Sequence, residues 1–279
     1  MAKAKTTVAP SKRFSTIATT LSENRIADEL QFASNDRGRV AEGTRTDKKN
    51  YAELLSRALA QRFADALRSS FNGILPNPDG SGQESKARTG KGLKKLDVNY
   101  STVELGLGLG VSIKTINFRD PKTRRYTKNY TRVDNDLRAE AADYHERQPY
   151  AVLCAVVFLP LDACDDGGVS APSSFGQSIQ IFRPRARREK PADDSTLFER
   201  ILVGLYETGA SDFGRVHFFD VADAPPRTGK PRVLKSFRDA VNAIVDTYDR
   251  RNKTKFEWAD GATEILNRPD SESDDEDEA

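Results

Sequence analysis

The feature that most constrains the fold is an uninterrupted apolar segment, residues 150–161 (YAVLCAVVFLPL). It is shorter than the ~18 residues that a membrane-spanning helix requires, and its apolar residues do not alternate with polar ones. A strand of this kind is covered on both faces, so it lies inside a sheet with helices on either side. The sequence therefore predicts an α/β fold in which residues 149–159 form a core strand of a mixed β-sheet flanked by helices.

Hydrophobic periodicity predicts the remaining elements around this strand. Helices are expected at 47–71, 134–147 and 235–250, and further strands at 199–206 and 215–221. The last strands and helix are an elaboration at the C-terminal end of the core. The chain then divides into a flexible N-terminal arm (1–46), one α/β domain (47–265) and a disordered acidic tail (266–279).

The segment before the 134–147 helix is typical of a β-hairpin. Leu105, Leu107, Leu109, Val111 and Ile113 alternate onto one face, and this leaves three glycines, Ser112 and Lys114 on the other. The glycines leave room there for a close backbone or ligand approach. A turn near residues 104–106 would bring Asp97 opposite Ser112 and Lys114. Ahead of this hairpin, residues 74–92 are rich in Gly, Pro and Ser, which predicts a flexible loop that carries Lys86, Arg88, Lys91, Lys94 and Lys95.

The charge of the chain is unevenly distributed. The last ten residues contain seven acidic side chains and no basic one, so the net charge of +2 divides into −7 on this tail and +9 on the first 269 residues. A basic body of this kind favours a polyanionic partner.

Several classes of protein are excluded by composition. Two cysteines, Cys154 and Cys164, and two histidines are too few for a zinc-finger site or a disulfide scaffold. The Lys-rich N-terminus is not followed by the apolar stretch of a secretory signal. We expect a cytoplasmic protein with no membrane segment.

Asp97, Ser112, Lys114 and Glu140 are the candidate catalytic residues. Phosphodiester hydrolysis with a divalent metal needs carboxylates to hold Mg²⁺ or Mn²⁺, and a lysine to stabilise charge or to orient the attacking water. Ser112 and Lys114 are two residues apart on a strand, so they point to one face. Asp97 and Glu140 are the expected metal ligands.

The order of these elements resembles the PD-(D/E)XK nuclease superfamily, whose core runs helix, hairpin, helix, strand. The matching features are the helix at 47–71, Asp97, the Ser112-x-Lys114 triplet after a gap of 14 residues, and the helix and strand at 134–159. The resemblance implies a restriction-endonuclease-like core and Mg²⁺-dependent cleavage of DNA in restriction or anti-phage defence, without excluding RNA. It also implies a possible homodimer, or a subunit of a multi-protein defence complex.

Ser112 departs from the superfamily pattern, because Asp or Glu usually stands at its position. Some restriction endonucleases of the superfamily carry a Ser-x-Lys triplet and have the acidic ligand on the following helix, and Glu140 is the matching residue here. Ser112 would then hydrogen-bond a water on the metal. The missing acid also supports the alternative of a non-catalytic nucleic-acid-binding or assembly protein with a degenerate nuclease fold.

A basic segment and a short helix provide further candidates. The segment 119–132 is expected to contact nucleic acid through Arg119, Lys122, Arg124, Arg125, Tyr126, Lys128 and Arg132. Arg138, His145 and Gln148 are expected to line the site behind the catalytic residues. Arg138 and His145 also resemble the signature of HEPN ribonucleases, which leaves a metal-independent RNase as a further alternative. The ordinary alternative is that His145 packs beside the core strand.

Overall fold

The computed structural model describes residues 24–34, 43–90, 92–103 and 106–252. The predicted acidic tail and most of the predicted N-terminal arm lie outside these ranges. The helices are α1 (Ala27–Ser34), α2 (Arg45–Leu67), α3 (Tyr130–His145), α4 (Ser174–Phe182) and α5 (Phe237–Arg251). The strands are β1 (Ser85–Thr89), β2 (Gly92–Leu96), β3 (Val98–Thr102), β4 (Gly106–Thr115), β5 (Val152–Pro160), β6 (Arg200–Tyr206) and β7 (Val216–Asp220).

A five-stranded mixed sheet in the order β3-β4-β5-β6-β7 forms the centre of the protein. Strands β4, β5 and β6 are parallel, and the outer strands β3 and β7 are antiparallel to their neighbours. The apolar segment that predicted the fold is β5, the middle strand, and every residue of it is buried. The prediction of an α/β fold with a mixed sheet and flanking helices is confirmed.

Alternate residues of the central strands pack into two separate hydrophobic cores, one on each face of the sheet. On one face, Cys154, Val156 and Phe158 pack with α1, α2 and α5. On the other, Leu153, Ala155 and Val157 pack with α3 and α4. The sheet is therefore the middle layer of three, and α3 covers the face that carries Ser112 and Lys114.

A β-bulge changes the predicted face of one hairpin residue. The pairing of β3 with β4 shifts between Tyr100 and Ser101, which lie opposite Leu109 and Leu107. An extra residue in one strand reverses the alternation beyond it. Leu107 consequently packs in the core on the α3 side, whereas Leu109 packs on the α2 side, and the prediction that both share one face is wrong.

Residues 24–34 do not behave as the predicted arm. Ile26, Leu30 and Ala33 are buried in the core beside α2. Arg62 of α2 donates a hydrogen bond from Nη1 to Glu29 Oε1 at 3.0 Å, and both side chains are almost fully buried. Since a buried charge is costly without its partner, α1 belongs to the folded domain.

The predicted loop at 74–92 also contains regular structure. Strands β1 and β2 form a separate two-stranded antiparallel hairpin, in which Thr89 pairs with Gly92. Ala87 and Leu96 anchor it in the core beneath α3. Helix α4 likewise lies in a segment for which the sequence predicts no helix. None of the described helices is long and apolar enough to cross a membrane.

Candidate active site

Four polar side chains from three elements meet between the sheet and α3. Ser112 Oγ and Lys114 Nζ each donate a hydrogen bond to Glu140 Oε2, at 3.0 Å and 3.0 Å. Asp97 lies directly before β3, and its Oδ2 accepts a hydrogen bond of 2.7 Å from the backbone N–H of Ile113, the residue between the pair. The structure therefore brings together all four predicted catalytic residues.

Local packing explains why these groups converge. Strand β4 places Ser112 and Lys114 on the face covered by α3, because the intervening Ile113 points into the opposite core. Helix α3 is held against that face by a buried stripe that includes Val133, Leu137, Ala141 and Tyr144. Glu140 lies next to this stripe, and only 7% of its surface is exposed.

Two ionisable groups of the site, Asp97 and Lys114, have pKa values shifted from their ordinary ones. Burial raises the pKa of Asp97 to about 6; Lys114 opposes this shift and the Glu140 carboxylate adds to it. Burial disfavours the charged form of Lys114, but attraction to Glu140 and Asp97 outweighs it and raises the pKa of Lys114 above its ordinary value. Perturbed groups of this kind concentrate at functional sites.

The carboxylates have the chemistry to take part in a magnesium site. One oxygen of each carboxylate already accepts hydrogen bonds. The Asp97 oxygen accepts from the Ile113 N–H, and the Glu140 oxygen accepts from Ser112 and Lys114. Within the described residues, no group of three or more His, Cys, Asp and Glu side chains is arranged to hold a metal. Two carboxylates nevertheless suffice for Mg²⁺, which commonly binds one or two together with waters and substrate phosphates.

The space beside the β4 glycines is occupied by the protein itself. A side chain at Gly108 would meet the Tyr100 ring, and one at Gly110 would meet Leu96 and Leu153. The expectation that these glycines leave room for a ligand is therefore wrong, since neighbouring side chains fill the space.

The basic segment 119–132 is largely committed to internal contacts. Arg119 pairs with Asp162 at 2.9 Å and stacks on Tyr126, whose hydroxyl also binds Asp162. Tyr126 is 5% exposed, so its ring is not available to stack on a base. Arg125 binds the Pro172 carbonyl and Lys128 pairs with Asp120. The remaining predicted contacts, Lys122, Arg124 and Arg132, have exposed side chains.

Arg138, His145 and Gln148 do not form a second group around the site. Arg138 is exposed, whereas His145 is 2% exposed, with its Nδ1 3.1 Å from the Ser195 carbonyl and its Nε2 3.5 Å from Glu199. His145 thus packs beside the core strand, as the ordinary alternative predicts. Gln148 supports the start of β4, because its Oε1 accepts from the Leu107 N–H.

The basic hairpin β1–β2 is the feature that sequence reasoning missed. Its outer face presents Lys86, Arg88 and Lys95 beside Asp97. A signal was present in the period-two alternation of SKART and in the Gly-Lys-Gly sequence that follows it, but the Gly/Pro-rich stretch before it favoured a loop.

No family model, curated protein or solved structure matches this chain. The resemblance to the PD-(D/E)XK superfamily therefore stays a prediction.

Proposed function

We propose that this protein is a metal-dependent endonuclease that hydrolyses DNA phosphodiester bonds. The observation that carries the proposal is the convergence of Asp97, Ser112, Lys114 and Glu140 on one site. The order of elements adds support: a helix, an antiparallel hairpin, a helix and a strand parallel to the second hairpin strand follow one another, as the PD-(D/E)XK resemblance implies.

Each residue has a distinct role in this proposal. Asp97 and Glu140 would hold Mg²⁺ or Mn²⁺, which when bound supplies an activated water and neutralises phosphate charge. Lys114 stays protonated and donates to the attacking water or to the negative charge that develops on the phosphate. Ser112 takes a role different from the predicted contact with water: its hydroxyl donates to Glu140 and so orients that carboxylate.

Cleavage of plasmid DNA in Mg²⁺ tests these roles. Asp97→Ala and Lys114→Ala should each reduce the cleavage rate by at least about 100-fold, while the far-ultraviolet circular dichroism spectrum stays that of the parent. Asp246→Ala is the matched control, since this exposed carboxylate lies on α5, on the face of the sheet opposite to α3. Full activity in either site variant would refute the assignment.

Thermal unfolding tests the metal site without relying on activity. A ligand that binds only the folded state stabilises it by RT ln(1 + [L]/Kd), about 1.4 kcal/mol at a tenfold excess over Kd. Mg²⁺ should therefore raise the melting temperature of the parent and of Asp246→Ala. It should leave that of Asp97→Asn unchanged, and an equal rise in this variant would place the metal elsewhere.

The second candidate is a nucleic-acid-binding or assembly protein with a degenerate nuclease fold. Ser112 favours it, because the acid usual at this position is absent. Duplex binding without nicking in Mg²⁺ or Mn²⁺, against an EDTA control, would select this candidate. The exposed Arg138 and the buried His145 give no support to a metal-independent RNase, whose mark would be RNA cleavage that survives EDTA.

The biological setting is also part of the proposal. We place the enzyme in the cytoplasm, in restriction or anti-phage defence, as a homodimer or as a subunit of a larger complex. Both cysteines are buried free thiols, and burial raises the pKa of Cys164 to about 12. A protein with such unreactive thiols suits a reducing compartment.

A further inference from the structure

The hairpin β1–β2 carries a cationic face next to the candidate active site. Opposite residues of an antiparallel pair point to the same side, and Lys86 pairs with Lys95 while Arg88 pairs with Leu93. The buried side is formed by Ala87 and Leu96, so the four residues Lys86, Arg88, Leu93 and Lys95 form the outer side. We call these four residues the ribbon face.

The ribbon face is exposed and only partly neutralised. Leu93 is 64% exposed and the Lys95 side chain 59%. Lys95 pairs with Glu84 at 2.7 Å, whereas Lys86 and Arg88 have no ion-pair partner within the described part of the chain. Like charges directly opposite each other destabilise a strand pair, so the Lys86–Lys95 pairing is a cost that a bound polyanion would relieve.

The hairpin is fixed relative to the site by α3. Lys94 on its inner side pairs with Asp143, and the Tyr144 hydroxyl donates to the Lys94 carbonyl at 2.9 Å. The Gly90 N–H donates to the Asp143 carbonyl at 3.0 Å. Asp143 is one helical turn beyond Glu140, so the same helix holds both the hairpin and the site.

Chain geometry sets how far the cations lie from the site. Lys95 is two residues before Asp97, and Leu93, the partner of Arg88, is four residues before it. At about 3.3 Å per residue in a strand, these positions lie roughly 7 and 13 Å along the chain from Asp97. A duplex with its cleaved phosphate at Asp97 would therefore place the adjoining base pairs on the ribbon face.

We propose that the ribbon face docks in the major groove of B-form duplex DNA beside the cleavage point. This groove, about 12 Å wide, admits a two-stranded β-ribbon, and the three cations lie within reach of its flanking phosphates. The major groove of A-form RNA is too narrow for such a ribbon. The proposal rests on the proposed function for the position of the cleaved phosphate, but binding itself is tested without cleavage.

The experiment measures duplex affinity in EDTA, where metal-dependent cleavage cannot occur. The test variant is K86T/R88T/K95T, in which threonine preserves strand propensity. The control is K230A/R232A/R238A, which removes three exposed cations from the first turn of α5 and the segment before it. That segment pairs with β7, the edge of the sheet opposite to β3. Circular dichroism and the melting temperature establish that both variants fold.

The test variant should bind a DNA duplex about 30-fold more weakly than the parent at about 50 mM salt. Its slope of log K against log salt should be smaller by about 2.7, which corresponds to three lost phosphate contacts. An affinity and slope equal to those of the control would overturn the inference. If the test variant loses as much affinity for duplex RNA of the same sequence as it loses for duplex DNA, the inference is also overturned.

The outcomes separate the inference from the proposed function. If the parent binds DNA in a ribbon-dependent way but does not nick it in Mg²⁺, cleavage is refuted and the ribbon face stands. If the parent nicks DNA and the ribbon variant binds as the control does, the nuclease stands and the ribbon face is refuted. A parent that binds no duplex refutes both.

Discussion

At the scale of single residues, Asp97 shows how the fold holds a group in an unfavourable state. Its carboxylate is partly withdrawn from water beside Glu140, and burial together with this neighbour raises its pKa to about 6. Folding therefore favours the protonated form, although hydrolysis would require the carboxylate. A positioned lysine and a bound cation would offset this cost, which is a common compromise between stability and activity.

Asp97→Asn should make the metal-free protein more stable at pH 8. The pKa of Asp97 in the folded protein, about 6, lies above its ordinary value of 3.8. The stability that this residue contributes is present in acid and is lost as the pH rises from about 4 through about 6. The gain from the neutral amide should reach about 1–3 kcal/mol at pH 8 and vanish below about pH 4.

Chemical denaturation across this pH range measures the gain in the free energy of unfolding, with Asp246→Asn as the control. A gain that does not change with pH would show that Asp97 is not the titrating group. Cleavage by Asp97→Asn should be lost under all these conditions.

At the scale of elements, the site depends on how β4 and α3 meet. Ser112 on the strand and Glu140 on the helix are 28 residues apart in sequence, yet they share a 3.0 Å hydrogen bond. The small hydroxyl leaves room for the Glu140 carboxylate, which occupies the side of β4 where the superfamily pattern expects a strand carboxylate. In this protein the helix, and not the strand, provides the negative charge beside Lys114.

An exchange of these two residues tests this relation. Ser112→Asp alone should lower the free energy of unfolding by about 2–4 kcal/mol, because it places a buried carboxylate against Glu140. The double variant S112D/E140S keeps one carboxylate beside Lys114. It should recover most of the free energy of unfolding that Ser112→Asp loses, and it should cleave DNA at a measurable rate.

A double-mutant cycle that includes Glu140→Ser alone measures the coupling. If the losses in the free energy of unfolding of the two single variants add in the double variant, then charge repulsion does not couple positions 112 and 140.

At the scale of the whole molecule, charge is divided between the body and the tail. The −7 carried by residues 270–279 lies outside the described residues, and the +9 on the rest of the chain includes the exposed ribbon face. An acidic segment can compete with DNA phosphates for such cations, which would restrain nonspecific binding.

Removal of residues 270–279 should increase nonspecific duplex affinity about 10-fold at about 50 mM salt and steepen its salt dependence. Fluorescence anisotropy with a random-sequence duplex measures both. Replacement of the tail by a neutral Gly/Ser segment of equal length is the control for length. If the truncated protein keeps the parent affinity, the tail is a solubilising end and does not compete for DNA.

The sequence by itself determined the mixed α/β class with its buried central strand, and it singled out the catalytic candidates. The run at 150–161 could be satisfied only by burial on both faces, and the period-two spacing of Ser112 and Lys114 directed both side chains to one side of a strand. Local patterns such as these need no knowledge of distant contacts.

Only the tertiary structure decided which charged residues are available. Arg119, Arg125 and Lys128 have partners up to 47 residues away, His145 is buried against Ser195 and Glu199, and α1 is held by the Arg62–Glu29 pair. Conversely, the hairpin β1–β2 leaves Lys86 and Arg88 facing outward. Whether a basic residue is paired or free depends on the partners that folding brings to it, and sequence spacing does not record them.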